Sequence, residues 1–124
     1  MDKKKSVLLV DDELDFAQAM SKWFESRGYS VKIITNGKEA LKAIKDHTPD
    51  CVFLDIVLPD IDGYMVLKEI RESNKTLPII MMSAYVKDVS TEQKVNIDGY
   101  SGIFYKEEGF LKALALFESA LKGS

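Results

Sequence analysis

Five short apolar runs recur along the chain: "SVLLV" (6–10), "SVKIIT" (30–35), "CVFL" (51–54), "PIIMM" (78–82) and "GIFY" (102–105). Their length and their content of β-branched and aromatic residues read as strands rather than helices. A run with no polar residue on alternate positions has both faces to bury, which is the pattern of a parallel strand covered by helices above and below. The intervals between the runs carry helical spacing instead: Leu14, Ala17, Met20 and Phe24; Ala40, Leu41 and Ile44; Val66, Leu67 and Ile70; Phe110, Leu114, Phe117 and Leu121. The interval 88–99 offers only Val89, Val95 and Ile97 as apolar anchors, which predicts a short, loosely held helix. Boundary signals agree. Asn36 and Glu39 are spaced as a capping box, Asp62 stands where it would cap the third helix, and Gly28 falls just past the first. Strand and helix alternate from end to end with no repeat or linker between them, which predicts one domain over 1–124 of the α/β class, a doubly wound (βα)5 sheet of five parallel strands.

Composition narrows what such a domain does. The 124 residues are 46% hydrophobic and 30% charged, an ordinary globular balance. No apolar run approaches the roughly 18 residues of a membrane helix, and the basic start is followed by a run that an acid pair ends, so the expected location is cytoplasmic, with no membrane partner. Cys51 is the only cysteine, which rules out an internal disulfide; it reads as a small buried apolar residue. His47 reads as a solvated loop residue, and Trp23 beside Phe24 as packing. The net charge is −3, and the one basic cluster, Lys3 to Lys5, has no aromatics between its charges, so direct nucleic-acid binding is not expected.

A parallel doubly wound sheet has right-handed crossovers, so its carboxyl-end loops share one rim, and ligands bind there where the strand order reverses. Asp11, Asp12 and Glu13 follow the first strand, Asp55 the third, Ser83 the fourth and Lys106 the fifth. If strands one and three are neighbours, Asp11, Asp12 and Asp55 converge, and three repelling carboxylates in a partly dry cleft need a cation or must take up protons. Oxygen donors without a Cys or His cluster suit Mg²⁺ that keeps some waters better than Zn²⁺ or an enclosed Ca²⁺. Asp55, ionised and needing no general base, could then attack phosphorus, with Lys106 and the Ser83 hydroxyl pairing with phosphoryl oxygens.

The motifs "LLVDDE", "LDIVLPDIDG", "MMSA" and "FYK", in that order at the ends of alternating strands, resemble those of a response-regulator receiver domain over nearly the whole chain. The resemblance implies the flavodoxin-like strand order 2-1-3-4-5. It implies a signalling switch with no chemistry beyond its own phosphorylation and dephosphorylation, in which Asp55 accepts phosphate from a histidine kinase or phosphotransfer protein. It further implies Mg²⁺ held by Asp12, Asp55 and the Val57 backbone carbonyl with Asp11 acting through water, Ser83 as switch hydroxyl, and Lys106 as phosphate-pairing cation. Two positions depart from the family pattern: Glu107 follows the lysine where proline is usual, and Ile103 stands where a switch aromatic is usual. Signalling is therefore expected to run through Ser83 and the segment behind it. Val57 and Tyr85 flank the site and are expected to restrict water, slowing self-dephosphorylation.

Other readings weigh less. A strand-ending Asp or an acid pair at a helix start is common, and the Asp11–Asp12 pair is expected to cap the first helix as well as to bind metal. A haloacid-dehalogenase-type phosphatase needs a second Asp two residues after the nucleophile, where this chain has Val57. An EF-hand match counted from Leu58 fails at its first ligand, and no Walker or Gly-x-Gly-x-x-Gly loop follows strand one. A phosphorylation-inert module of the same fold is the remaining alternative. The last helix carries more apolar residues than one buried stripe, so self-association or effector binding is expected through the fourth and fifth helical segments.

Overall fold

The computed structural model describes residues 4–84 and 99–123. In chain order these form β1 (Ser6–Val10), α1 (Leu14–Ser26), β2 (Ser30–Ile34), α2 (Gly37–Asp46), β3 (Cys51–Asp55), α3 (Gly63–Ser73), β4 (Ile79–Ser83), β5 (Gly102–Tyr105), a 3-10 turn over Lys106–Glu108, and α4 (Phe110–Gly123). The helix expected over 88–99 lies, but for Gly99, outside the described residues, as do Tyr85 and Lys3. All five strands are parallel and lie in the order β2-β1-β3-β4-β5, the doubly wound arrangement expected from the sequence.

Alternation along each strand sorts the core into two layers. Leu8, Val10, Val52, Leu54, Ile79 and Met81 pack against Ala40 and Ile44 of α2 and Val66, Leu67 and Ile70 of α3. Val7, Leu9, Cys51, Phe53, Ile80, Met82 and Phe104 pack on the other face against Ala17, Met20 and Phe24 of α1 and Ala113 and Phe117 of α4. β3 and β4 are buried along their whole length, whereas the edge strand β2 is only half-covered. At ~1.5–3 kcal/mol for each large side chain fully removed from water, these layers dominate the stability. Phe24 is the aromatic hub of the α1–α4 layer, with ring centroids 5.7 Å from Phe53 and 5.9 Å from Phe117.

The ends are set locally. Asn36 accepts the Glu39 amide at 2.9 Å and Asp62 the Met65 amide at 3.0 Å, both at their helix N-caps. Past α1, Gly28 takes φ +93°, its amide donating to Glu25 and that of Tyr29 to Phe24, the paired bonds that close a helix on a left-handed residue. α4 buries only Ala113 and Phe117 fully; Leu111 is 70% exposed.

Candidate functional site

Register brings the polar strand ends together. Val10 pairs with Leu54, so Asp11 and Asp55, each one residue further on, are side by side across β1 and β3. Asp55 pairs with Met82 and Ser83 with Tyr105, so Ser83 and Lys106 stand at the same rim on the next two strands. Asp11, Asp55 and Ser83 are, with Ser21, the buried polar residues among those described. Ligand oxygens of Asp11, Asp12 and Asp55 all lie within 4.8 Å of one another, and Asp12 is exposed at the mouth.

Lys106 is the countercharge. Its Nζ donates to Asp55 Oδ2 at 2.7 Å and to Glu13 Oε1 at 2.6 Å, and lies 2.8 Å from Asp11 Oδ2. The last contact is ionic and poorly directed for a hydrogen bond, so Asp11 Oδ2 is a fully buried oxygen with acceptor capacity to spare. The ring of Phe16 stands 4.8 Å from the same ammonium, in cation–π range. Asp11 Oδ1 accepts the Glu13 amide at 2.9 Å and Asp55 Oδ1 the Val57 amide at 3.0 Å. Burial raises the Asp55 carboxyl to about 6; the Lys106 hydrogen bond and the Val57 amide oppose that rise, and the Asp11 charge adds to it. For Lys106 burial acts downward, but its contacts with the carboxylates of Asp11, Asp55 and Glu13 outweigh it and hold the ammonium above the ordinary lysine range. The Lys106 shift reflects the acids gathered round it, and the Asp55 shift chiefly reflects burial.

The surrounding loops hold these groups still. After β3 the chain doubles back so tightly that Gly63 donates to the Ile56 carbonyl at 2.7 Å, and a Cβ on Gly63 would stand 2.2 Å from the Asp55 carbonyl oxygen. Only glycine fits there. Asp60 in the same loop accepts the Gly37 and Lys38 amides at 2.8 and 2.9 Å, tying the loop to the start of α2. At the exit of β5 the place of the usual proline is taken by a different device. Lys106–Glu108 form a 3-10 turn, Glu108 Oε1 accepts the Tyr105 amide at 3.0 Å, and Gly109 turns the chain at φ +88° into α4; no cis peptide occurs among the described residues. Phe104 is buried in the α1–α4 layer, while Ile103 packs in the α2–α3 layer, as strand alternation requires.

One expectation fails. The Asp11–Asp12 pair does not cap α1: the N-cap is Glu13, and no side chain caps that end. Asp11 is drawn inward instead, where burial and Lys106 hold it. Reading the sequence also missed Glu13 and Phe16 as partners of Lys106, Glu108 as the clasp behind it, and Asp60 as a tie. Glu13, Phe16 and Asp60 act across chain separations that no local spacing reveals, whereas Glu108 lies only three residues from the Tyr105 amide it accepts. His47 is exposed at the end of α2 and Cys51 is buried at the start of β3, its thiol pushed up to about 12 by burial; neither belongs to the notch.

The donor set fits a hard divalent cation: three carboxylates within reach of one ion, no sulfur or imidazole, and a buried oxygen still lacking a hydrogen bond. Fold and notch together define an α/β protein whose charged site sits at the carboxyl rim, beside the switch point of a doubly wound sheet. The sequence pattern of the response regulator receiver domain matches residues 7–114, and the chain belongs to that family, the receiver modules of two-component signalling. It is 33% identical over 92 residues to the response regulator MprA of Mycolicibacterium vanbaalenii, 74% of this chain and 39% of that protein. It is 38% identical over 80 residues to the alkaline phosphatase synthesis transcriptional regulatory protein PhoP of Bacillus subtilis, 64% of this chain and 33% of that protein. The receiver domain of NtrX from Brucella abortus superposes with a TM-score of 0.88 at 29% identity, covering 95% of this chain and 99% of that one. The chain thus spans no more than about two fifths of these curated relatives' length.

Proposed function

We propose that Asp55 accepts a phosphoryl group from a histidine kinase or a histidine phosphotransfer protein, and that the chain works as one cytoplasmic receiver domain over 1–124. A carboxylate oxygen of Asp55 attacks phosphorus in line, the P–O bond forms as the P–N bond to the donor imidazole breaks, and that ring nitrogen recovers a proton from water. The Lys106 ammonium, 2.7 Å from Asp55 Oδ2, favours the ionised carboxylate, so no base has to remove a proton first. Asp12, Asp55 and the Val57 backbone carbonyl would hold Mg²⁺, with Asp11 reaching it through water; the ion supplies charge neutralisation for the phosphoryl oxygens. Lys106 pairs with one phosphoryl oxygen and the Ser83 hydroxyl with another, and these strand-end positions orient the group with little movement of the sheet.

The observation that carries this reading is the 2.7 Å contact between Lys106 Nζ and Asp55 Oδ2, made across 51 residues of chain within reach of two further acids. Intact-mass measurement after acetyl phosphate and Mg²⁺ tests it. One labile phosphoryl on wild type and none on Asp55→Asn is the expected result; an unmodified wild type, or equal modification of both, would sink the reading.

A further inference from the structure

The residue that opens α1 does not do what its position favours. An N-cap side chain ordinarily accepts an amide of the first helical turn, yet the Glu13 carboxylate makes no such bond. It reaches across to Lys106 Nζ at 2.6 Å, a partner 93 residues away. That contact differs in kind from the other two on the same ammonium. The side chains of Asp11 and Asp55 are 0% and 7% exposed, whereas that of Glu13 is 61% exposed. Three carboxylates crowd the ammonium, Glu13 and Asp55 each accepting one of its protons and Asp11 touching it as an ion pair, so an arriving oxygen competes for this space with whichever of them is free to leave. Asp11 and Asp55 are fixed by burial and by the Glu13 and Val57 amides. Glu13 can swing into water at little cost, because an exposed ion pair contributes little net stability. The Phe16 ring, 4.8 Å from Nζ, is a neutral neighbour of the same ammonium.

We infer that Glu13 is a placeholder for a phosphoryl oxygen. Its carboxylate fills the solvent-facing side of the Lys106 ammonium in the resting state and yields that place to the arriving phosphoryl group, so that Glu13, acting through Lys106, sets how fast an anionic donor is accepted. This rests on Asp55 being the acceptor. Glu13 is a positioning residue: no covalent bond to it forms or breaks.

Glu13→Gln keeps the side chain's length and its acceptor oxygen but removes the charge. At saturating Mg²⁺, with phosphorylation by acetyl phosphate followed by intact mass, the variant is expected to react about two- to fivefold faster than wild type, equivalent to roughly 0.4–1 kcal/mol at 1.4 kcal/mol per decade. Asp15→Asn removes an equal charge from the first turn of the same helix, outside the Lys106 cluster, and is expected to change the rate by much less. A second readout needs no donor: the Lys106 ammonium signal in a cold ¹H–¹⁵N spectrum should be sharp in wild type and weakened by faster proton exchange in Glu13→Gln. A Glu13→Gln rate equal to that of wild type, or matched by Asp15→Asn, or an unchanged ammonium signal, overturns the placeholder and leaves Asp55 as acceptor. A wild type that takes up no phosphoryl group overturns both.

Discussion

The two ends of the sheet treat aspartate in opposite ways. At the amino end, Asp50 accepts the Ser6 amide at 2.7 Å and the Ser6 hydroxyl at 3.3 Å, and its own amide donates back to that hydroxyl at 3.1 Å. The carboxylate is spent locally. At the carboxyl end, Asp11 and Asp55 each accept one backbone amide and otherwise share a single lysine, with Asp12 close by. The reason is elementary. The amino end of a parallel strand presents free N–H groups, as Ser6 does, which suit an anion. The carboxyl end presents C=O groups, which repel one. An acid at the first end becomes a structural clasp, and acids at the second are left to bind something positive or to transfer charge.

That contrast can be broken from either side. Removing the shared lysine should do most harm: Lys106→Ala leaves the buried carboxylates facing each other and is expected to cost about 3 kcal/mol in urea unfolding at pH 7 with EDTA, a loss that Mg²⁺ largely reverses. Failure of Mg²⁺ to recover stability would mean that the acids are not a cation site. Removing an acid from the same end should help instead. Asp55 binds its proton more tightly folded, near 6, than unfolded, near 3.8, so its ionisation weighs against folding as pH rises between those values. Asp55→Asn is therefore expected to be more stable than wild type by about 2 kcal/mol above pH 7 without metal, with the gain shrinking to nothing near pH 4. Thermal melts across that range decide it.

The amino end should respond in the opposite sense. Asp50→Ala leaves the Ser6 amide unpaired and is expected to cost about 1–2 kcal/mol while leaving the rate with acetyl phosphate unchanged. A large rate effect would show that the two ends are coupled. The smallest effect belongs to Asp60. Burial raises its carboxyl, but several amides together, those of Gly37 and Lys38 foremost, outweigh this and hold it at about 2. Its contribution is present above the unfolded value and disappears as pH falls through about 2. Because the group is exposed, Asp60→Asn should cost only a few tenths of a kcal/mol, read as a slightly lower denaturant midpoint at pH 7 that no longer differs from wild type in strong acid.

How far the chain could be read varies with the range of the forces involved. β1 and β5 coincide with the apolar runs 6–10 and 102–105, and the other strands differ by a residue at one or both ends, because an apolar run has one economical fate in a covered sheet. Asn36, Asp62 and Gly28 were legible because their partners lie within a few residues. The acids and Lys106 were legible as a set by their place at strand ends. What each touches was not. Glu13 looked like one more rim acid and binds Lys106, Asp11 looked like a helix cap and is buried, and Glu107 looked like a lost proline where Glu108 clasps the turn.

Periodicity, chain order and end signals act over a few residues, so the amino-acid string alone determined the strands, the described helices and the rim on which function gathers. Which oxygen meets which amine depends on strand register and on loops that return from dozens of residues away. Only the tertiary structure decided that one ammonium would be divided among two buried carboxylates and one exposed one, because burial and distance, the two quantities that set an ion's strength, come into being when the sheet closes.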